Sequence, residues 1–462
     1  MLINDVQYRP FCYYTSFCIF TRTNLPPLQL RFYSLLPLYR SVTGDIARAF
    51  QFYQLCRFAT VLLAGIMLVN LGLSEGEVSD FEWFLFGVHM LSFFWAMGLK
   101  NALLSFVPTL DEGEQGRLWS GLLFLFVMVS VLISGAVLAS GLFTMAEPLV
   151  FVVFFTLSIP ATLGEQYLLL QRRSHALTRY AVWVHLLYLA AVAVGAIWGG
   201  LPAVFTLLAA WAAVKLLYTV YLIRELGTWT IDLKVLRPFF VFALPLVGYI
   251  LLGSGMDVVD GILVRHYFDE ADFAKFRYGA KELPISAMLI GALATATIPA
   301  AVASLEDSMH TLKLRLTRMM HWLYPLSIVL MVSSPYLFEF FYNDQYLLSA
   351  TIFNIYLLIL VSRVLTPQVV LYGLHKNQML LVVSAVELLV NFALSLVLLQ
   401  YYGMVGIAYA TVVAYALEKV LLCGYLYFAK GLGLGRYISV TPFVVWSVLL
   451  VTVFVVTTVY HG

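Results

Sequence analysis

Charge is scarce in this sequence: charged residues make up only 11% of its 462 residues, whereas hydrophobic residues make up 62%. A soluble globular protein carries about 25% charged residues, so this chain has too little charge to cover a surface that faces water. The composition excludes a soluble globular protein and predicts a polytopic integral membrane protein. The net charge of +2 is too small to favour nucleic acid as a partner.

Catalytic and metal-binding motifs are also missing from the sequence. The four cysteines have no metal or redox spacing. There is no HExxH, GxSxG or Walker motif, and no polar loop long enough to hold a catalytic constellation. These absences argue against an enzyme and a built-in ATPase, and they predict neither a cofactor nor a metal site. Any pumping would depend on an ion gradient, the membrane potential or the substrate gradient.

Long apolar runs fill most of the chain. A transmembrane helix needs about 20 predominantly apolar residues, and this window predicts thirteen spans. They are 54–73, 83–107, 119–141, 147–170, 180–199, 202–223, 238–263, 283–304, 320–341, 347–372, 378–400, 404–428 and 438–459. The connections are short, so any function must lie within the membrane or at its two faces. Basic residues concentrate in alternate connections, which predicts a cytoplasmic start for the first span.

An internal repeat indicates how the spans are organised. The segment 74–83, after the first span, aligns without gaps with 269–278, after the seventh, at a shift of 195 residues. The shift predicts two six-helix lobes around a central cavity, a common plan for transporters that work by alternating access. We therefore divide the chain into an N-terminal tail without assigned function, two lobes and one additional transmembrane helix, at 1–44, 45–228, 229–430 and 431–462.

Charged residues at bilayer depth are costly and usually face the interior of the bundle. Five basic residues in the predicted inner half indicate a cationic lumen suited to a phosphorylated ligand: Arg57, Lys100, Lys215, Arg363 and Lys419. Three carboxylates are candidates to carry a coupling proton or cation: Asp257, Asp260 and Glu387. A structural role is the alternative for each, since long basic side chains can snorkel to the headgroups.

Several motifs resemble those of Wzx-type polysaccharide flippases, a branch of the superfamily that includes multidrug exporters and lipid II flippases. In the seventh span, Leu244-Pro245 resembles the Leu-Pro start of the family's pattern, and Asp260 falls at the position of the family's aspartate, before the acidic turn Asp269 to Phe273. Further similar segments are Gly98-Leu99, Ile298-Pro299-Ala300, Asn391 and Tyr402 to Thr411. The resemblance covers roughly residues 45–430. Ser79 and Ala274 depart from the glycine that the family often has in the acidic turn.

The resemblance implies a flippase that moves an undecaprenyl-pyrophosphate-linked oligosaccharide across the bacterial inner membrane by alternating access. The implied partners are the lipid-linked oligosaccharide, membrane lipids, H⁺ or Na⁺ as coupling ion, and glycan polymerase machinery. Three alternatives stay open at this point. They are a drug or cation exporter of the same fold, a lipid II flippase, and a membrane enzyme such as a glycan polymerase or ligase.

Overall fold

The computed structural model describes residues 8–11, 19–22, 36–140, 147–227, 229–253, 255–281, 304–374 and 376–461, with scattered positions between 286 and 301. Strands β1 (Tyr8–Phe11) and β2 (Ile19–Arg22) pair in a two-stranded sheet. Every other regular element with printed bounds in the described part of the chain is a helix. The described residues divide into two compact units, which comprise Met1–Arg9 with Phe20–Ile250 and Pro10–Ile19 with Leu251–Gly462.

The first unit is built from long apolar helices that are interrupted at a few points. A π-helical turn at Phe93–Met97 joins α2 to α3, and a 3₁₀ turn at Val107–Thr109 follows α3. The unit boundary falls within the last helix, α8. The helices are α1 (Leu36–Asn70), α2 (Glu75–Ser92), α3 (Gly98–Phe106), α4 (Glu112–Ser140), α5 (Pro148–Ala161), α6 (Leu163–Leu170), α7 (Ser174–Arg224) and α8 (Leu233–Gly253).

The second unit is also built from helices that are interrupted by short turns. Short 3₁₀ turns lie at Asp344–Tyr346 and Leu434–Arg436. The C-terminal helix α17 packs against α11, and the hydroxyls of Tyr324 and Ser447 are 2.8 Å apart across this contact. The helices are α9 (Gly255–Tyr267), α10 (Glu270–Gly279), α11 (Leu305–Tyr342), α12 (Leu347–Leu357), α13 (Ile359–Val364), α14 (Pro367–Gly373), α15 (Asn377–Tyr402), α16 (Met404–Lys430) and α17 (Val440–His461).

The predicted all-α, multi-pass helix bundle is confirmed. Eleven described segments are long and apolar enough to cross a membrane, and one of them, α7, contains both the fifth and the sixth predicted spans. The eighth predicted span, 283–304, lies largely outside the described residues. Helix α1 begins at Leu36, within the segment assigned to the tail. The lobe limits 45–228 and 229–430 stay predictions, as does the additional-helix segment 431–462, which contains α17.

Two glycines in the left-handed backbone region allow successive spans to fold back on each other. Gly200 has φ 66° and divides α7 into 174–199 and 201–224, and Gly403 has φ 59° between α15 and α16. Only glycine adopts this region without steric cost. The paired helices then touch at the backbone. A Cβ on Gly195 would lie 2.6 Å from the Val204 backbone, and one on Gly406 would lie 2.5 Å from the carbonyl carbon of Leu398.

This close approach predicts that alanine substitutions at two glycines of α16 have very different effects on the free energy of unfolding. Replacing Gly406 by alanine is expected to lower the free energy of unfolding by about 1–3 kcal/mol, because the new methyl group overlaps the α15 backbone. The matched control is Gly424→Ala, where no atom lies within 4 Å of the added Cβ. That variant should be neutral or slightly stabilising. Denaturation of the purified variants in detergent measures both effects, and equal effects would show that the α15–α16 contact tolerates a side chain.

The two aligned repeat segments adopt the same local structure. Ser74 (φ −65°, ψ 158°) and Asp269 (φ −65°, ψ 156°) are both extended residues that immediately precede a helix with an acidic first turn. Four equivalent positions are buried in each segment, which is the pattern expected of a duplicated element. They are Val78, Ser79, Phe81 and Trp83 in the first segment, and Phe273, Ala274, Phe276 and Tyr278 in the second.

Candidate functional site: buried charges in the two units

One carboxylate joins two lysines inside the first unit. Glu165 on α6 lies between Lys100 on α3 and Lys215 on α7, with its Oε1 3.4 Å from Lys100 Nζ and its Oε2 3.6 Å from Lys215 Nζ. The Tyr53 hydroxyl of α1 donates a hydrogen bond to the same carboxylate. Four elements therefore meet at Glu165. We call Tyr53, Lys100, Glu165 and Lys215 the lysine–glutamate cluster.

Small residues place Glu165 at this position. The break between α5 and α6 falls at Thr162, and Gly164 then packs directly on Thr219 of α7. A Cβ on Gly164 would overlap the Thr219 hydroxyl, which donates to the Ala161 carbonyl oxygen at 3.0 Å. Because Lys215 precedes Thr219 by one helical turn, this packing brings Glu165 beside the Lys215 ammonium group.

Positive charge exceeds negative charge around Glu165. The side chains of Lys100, Glu165 and Lys215 are only 14%, 5% and 8% exposed, so the cluster is shielded from solvent. Arg57, one helical turn after Tyr53, is exposed and interacts electrostatically with Glu165. Buried ions require partners, and here one carboxylate serves two buried ammonium groups beside an exposed guanidinium. The arrangement suits an additional anionic group near Arg57.

The second unit contains a buried carboxylate whose hydrogen-bond partners are uncharged side chains. Asp260 on α9 is 1% exposed. It accepts hydrogen bonds from Thr411 Oγ1 at 2.5 Å and from the Tyr356 hydroxyl at 3.3 Å, and Asn391 Nδ2 donates to Thr411 Oγ1 at 3.0 Å. Asp260 Oδ1 and Asn391 Oδ1 have no hydrogen-bond partner among the described residues. We call Asp260, Tyr356, Asn391 and Thr411 the Asp260 cluster. It offers two free acceptor oxygens to a proton or cation.

Three other predicted site residues of the second unit, Lys419, Arg363 and Glu387, have charged or aromatic neighbours. Lys419 forms an ion pair with the adjacent Glu418, and the Arg363 guanidinium carbon lies 5.2 Å from the centre of the Tyr415 ring. Glu387 is 6% exposed and interacts electrostatically with Glu418, Lys419 and Arg363. These residues therefore form a mixed group of both signs.

The structure places the predicted basic site residues in two separate groups, one in each unit. Arg57, Lys100 and Lys215 meet in the first unit, whereas Arg363 and Lys419 meet Glu387 in the second. Of the two aspartates predicted to share a face of α9, Asp260 is buried and Asp257 is exposed. Binding and coupling roles for all of these residues stay predictions. Sequence reasoning missed Glu165 as the shared partner of two lysines, together with Tyr53 and Tyr356, because no local motif connects these positions.

Comparison with known proteins shows the fold of this chain and not its family. No family model and no curated protein sequence matches this chain. Solved structures do match, and they are transporters of the MOP superfamily. The chain has the fold of these flippases and exporters, and it is a multi-pass membrane protein. The proteins of these structures are transporters and flippases rather than enzymes.

Three of these structures illustrate the likeness. The lipid II flippase MurJ in an inward closed conformation gives a TM-score of 0.68 at 13% identity, covering 89% of this chain and 93% of that one. An inward-facing multidrug resistance MATE transporter gives 0.61 at 14% identity, covering 80% and 93%. A MOP-superfamily transporter from Pyrococcus furiosus, whose binding pocket has reverse polarity, gives 0.60 at 13% identity, covering 85% and 95%.

Proposed function

We propose that the protein is a flippase that moves an undecaprenyl-pyrophosphate-linked oligosaccharide to the outer leaflet of the bacterial inner membrane by alternating access, for polysaccharide biosynthesis. The observation that carries this proposal is the excess of positive charge in the first unit. Two buried lysines share one carboxylate, and Arg57 is exposed beside them. Arginine and lysine are the usual protein partners of phosphate oxygens, so the cluster suits a pyrophosphate.

Within this proposal the residues of the first unit have different roles. Arg57 is the exposed cation, so it is the group that first meets the pyrophosphate. Lys100 and Lys215 form ion pairs with Glu165. The negative charge of Glu165 offsets the cost of burying two ammonium groups before the substrate binds. In this arrangement the arriving anion shares the two lysines with Glu165.

The second unit supplies the candidate coupling site. The Asp260 cluster combines a buried carboxylate with unpartnered oxygens of Asp260 and Asn391, and hard cations such as Na⁺ prefer oxygen ligands. A proton or Na⁺ bound there would change the charge of the cluster between the steps of transport. Contact with glycan polymerase machinery stays a prediction from the family resemblance.

Two other functions are tied to specific observations. Similarity to MurJ favours lipid II as the lipid-linked substrate, which differs from the proposed one only in its glycan. Similarity to multidrug MATE transporters, together with the buried Asp260, favours a drug or cation exporter. The exporter would need an excess of acidic groups to bind cationic substrates, and the lysine–glutamate cluster has the opposite charge.

The test is a transport assay in proteoliposomes with the Arg57→Gln variant. Because Arg57 is exposed and outside the buried ion pairs, this variant should fold normally. We expect transport of a pyrophosphate-linked lipid oligosaccharide to fall by about tenfold at subsaturating substrate, since a charge-assisted contact to phosphate is lost. The matched control is Lys430→Gln, which removes an exposed cation at the end of α16 and should transport normally.

Each outcome of this assay separates the candidate functions. Transport of oligosaccharide and lipid II substrates alike would leave the glycan undetermined but support a pyrophosphate-linked lipid flippase. Equal transport by Arg57→Gln and the intact protein would show that Arg57 does not bind the substrate. Failure of the intact, folded protein to move any pyrophosphate-linked lipid, with export of a cationic dye in the same vesicles, would contradict the proposal and favour the exporter.

A further inference from the structure

A small surface pocket lies on α7, in the first unit, where the two halves of the helix run side by side. It has a volume of about 260 Å³ and is lined by Ala176, Arg179, Tyr180, Trp183 and Tyr218. None of these residues belongs to the lysine–glutamate cluster. The volume is smaller than the roughly 300–1,000 Å³ of pockets that enclose drug-sized ligands. The pocket can therefore hold only one end of a larger ligand. We call these five residues the α7 pocket.

Stacked aromatic rings form the wall of the α7 pocket. Tyr180 and Tyr218 stack with their centroids 5.5 Å apart, and Trp183 meets the Tyr218 ring edge-on at 5.4 Å. Trp183 also meets Tyr180 at 5.3 Å and 90°. Such mutual contacts fix the positions of the rings. Arg179 is the exposed, charged member of the pocket. The pocket therefore joins a rigid apolar wall to one cation.

Tyr180, which also lines the α7 pocket, has a buried hydroxyl group. Its side chain is fully buried, and its oxygen has no hydrogen-bond partner among the described residues. Burying a hydroxyl without a hydrogen bond is unfavourable, and such groups are rare in folded proteins. Tyr180 lines the pocket beside Arg179. The Tyr180 hydroxyl therefore lies below the surface of the pocket, and Arg179 is the charged pocket residue that an anionic ligand can reach.

The position of the α7 pocket along the helix corresponds to a membrane interface. Arg179 lies five residues after Ser174 and Tyr218 six residues before Arg224, which places both about 8–9 Å from the same end of the helical pair. Trp and Tyr are enriched at the level of the lipid headgroups. The adjoining chain contains Arg172, Arg173 and Arg224, and such basic residues attract anionic lipids.

We propose that the α7 pocket binds the phosphate headgroup of an anionic phospholipid such as phosphatidylglycerol. Arg179 pairs with the phosphate, and the faces of Trp183 and Tyr218 pack against the glycerol and the first methylenes of the acyl chains. Free phosphate would use the cation but not the aromatic wall. This inference does not depend on which substrate the protein transports.

Tyr180 also connects the α7 pocket to the lysine–glutamate cluster. Its ring stacks on Tyr53 with centroids 6.1 Å apart and an interplanar angle of 21°, and the Tyr53 hydroxyl donates to Glu165. The α7 pocket and the lysine–glutamate cluster are therefore joined by one stacked pair of tyrosines.

The test is a titration of the purified full-length protein, in nonionic detergent, with short-chain phosphatidylglycerol and with phosphatidylcholine of the same chain length. Isothermal calorimetry measures the affinities, and thermal melting confirms that each variant is folded. Free glycerol phosphate is titrated separately. We expect the intact protein to prefer phosphatidylglycerol over both other ligands. Arg179→Gln should raise the Kd for phosphatidylglycerol by roughly tenfold and erase this preference, because it removes the charged contact.

Two further variants make the result specific to the α7 pocket. Tyr180→Phe keeps the ring and its stacking and removes only a buried hydroxyl, so it should leave the Kd unchanged without lowering the melting temperature. Arg224→Gln removes an exposed cation from the same end of α7, outside the pocket, and should leave the Kd unchanged. Equal affinities for the two phospholipids, or equal losses in Arg179→Gln and Arg224→Gln, would overturn the proposal and leave only unspecific attraction by the basic helix ends. Glycerol phosphate binding as tightly as phosphatidylglycerol would overturn the lipid assignment.

Discussion

Replacement of Glu165 by alanine is expected to lower the free energy of unfolding by about 3–5 kcal/mol, the range typical of removing one partner from a buried ion pair. The effect is large because the variant leaves Lys100 and Lys215 without the carboxylate that they share. Lys215→Met should be much milder, since Glu165 then still pairs with Lys100 and the methionine fills most of the lysine's volume. Denaturant titration in detergent gives both values.

The decisive comparison is the effect of Lys215→Met in the two backgrounds. When Glu165 is present, this substitution should be neutral or destabilising. In Glu165→Ala it should be stabilising, because it removes a buried ammonium group that has lost its partner, and the two single effects are then far from additive. A Lys215→Met effect of the same sign and size in both backgrounds would contradict the shared role of Glu165.

Replacement of Asp260 by asparagine is expected to abolish the response of transport to an imposed ion gradient, at a cost of at least about tenfold in the driven rate. Asparagine keeps the shape of the side chain and an oxygen that can accept from Thr411 and Tyr356. It cannot carry the negative charge that holds a proton or cation. Proteoliposomes with Na⁺ and H⁺ gradients imposed separately measure the loss and identify the ion.

Asp257→Asn is the matched control for this experiment. Asp257 lies on α9 one turn before Asp260 but is exposed, so its replacement should leave the gradient response in place. If Asp260→Asn still responds to a gradient while Glu387→Gln does not, coupling belongs to the mixed group of Glu387, Glu418, Lys419 and Arg363 instead. Thermal melting of each variant separates a loss of coupling from a loss of fold.

The proteins that the sequence motifs resemble differ from those whose solved structures match. The motifs around Asp260 and from Tyr402 to Thr411 resemble polysaccharide flippases, whereas the matching structures include a lipid II flippase and multidrug transporters. Asp260, Asn391 and Thr411 come from two motif regions that are distant in the chain, and they meet in one hydrogen-bonded cluster. The structure thereby gives a physical reason why these residues occur together.

The sequence alone determined the class and the architecture of the protein. The low charge content excluded a soluble protein, and the 20-residue apolar runs located the spans, because a bilayer requires a continuous apolar segment whose length is set by its thickness. The alignment of 74–83 with 269–278 predicted a repeat, and the first residues of its two copies, Ser74 and Asp269, have almost the same backbone angles. These properties depend on residues close together in the chain, so they can be seen without a fold.

Only the tertiary structure decided which charges are free and which are paired. Lys100, Glu165 and Lys215 are separated by 65 and 50 positions in the sequence, yet they form one buried group. Of the five basic residues predicted to line the lumen, Lys100 and Lys215 are therefore paired with Glu165, whereas Arg57 is exposed. The pairing depends on the rotation of each helix about its axis. That rotation is set by contacts such as Gly164 against Thr219, which involve positions far apart in the chain.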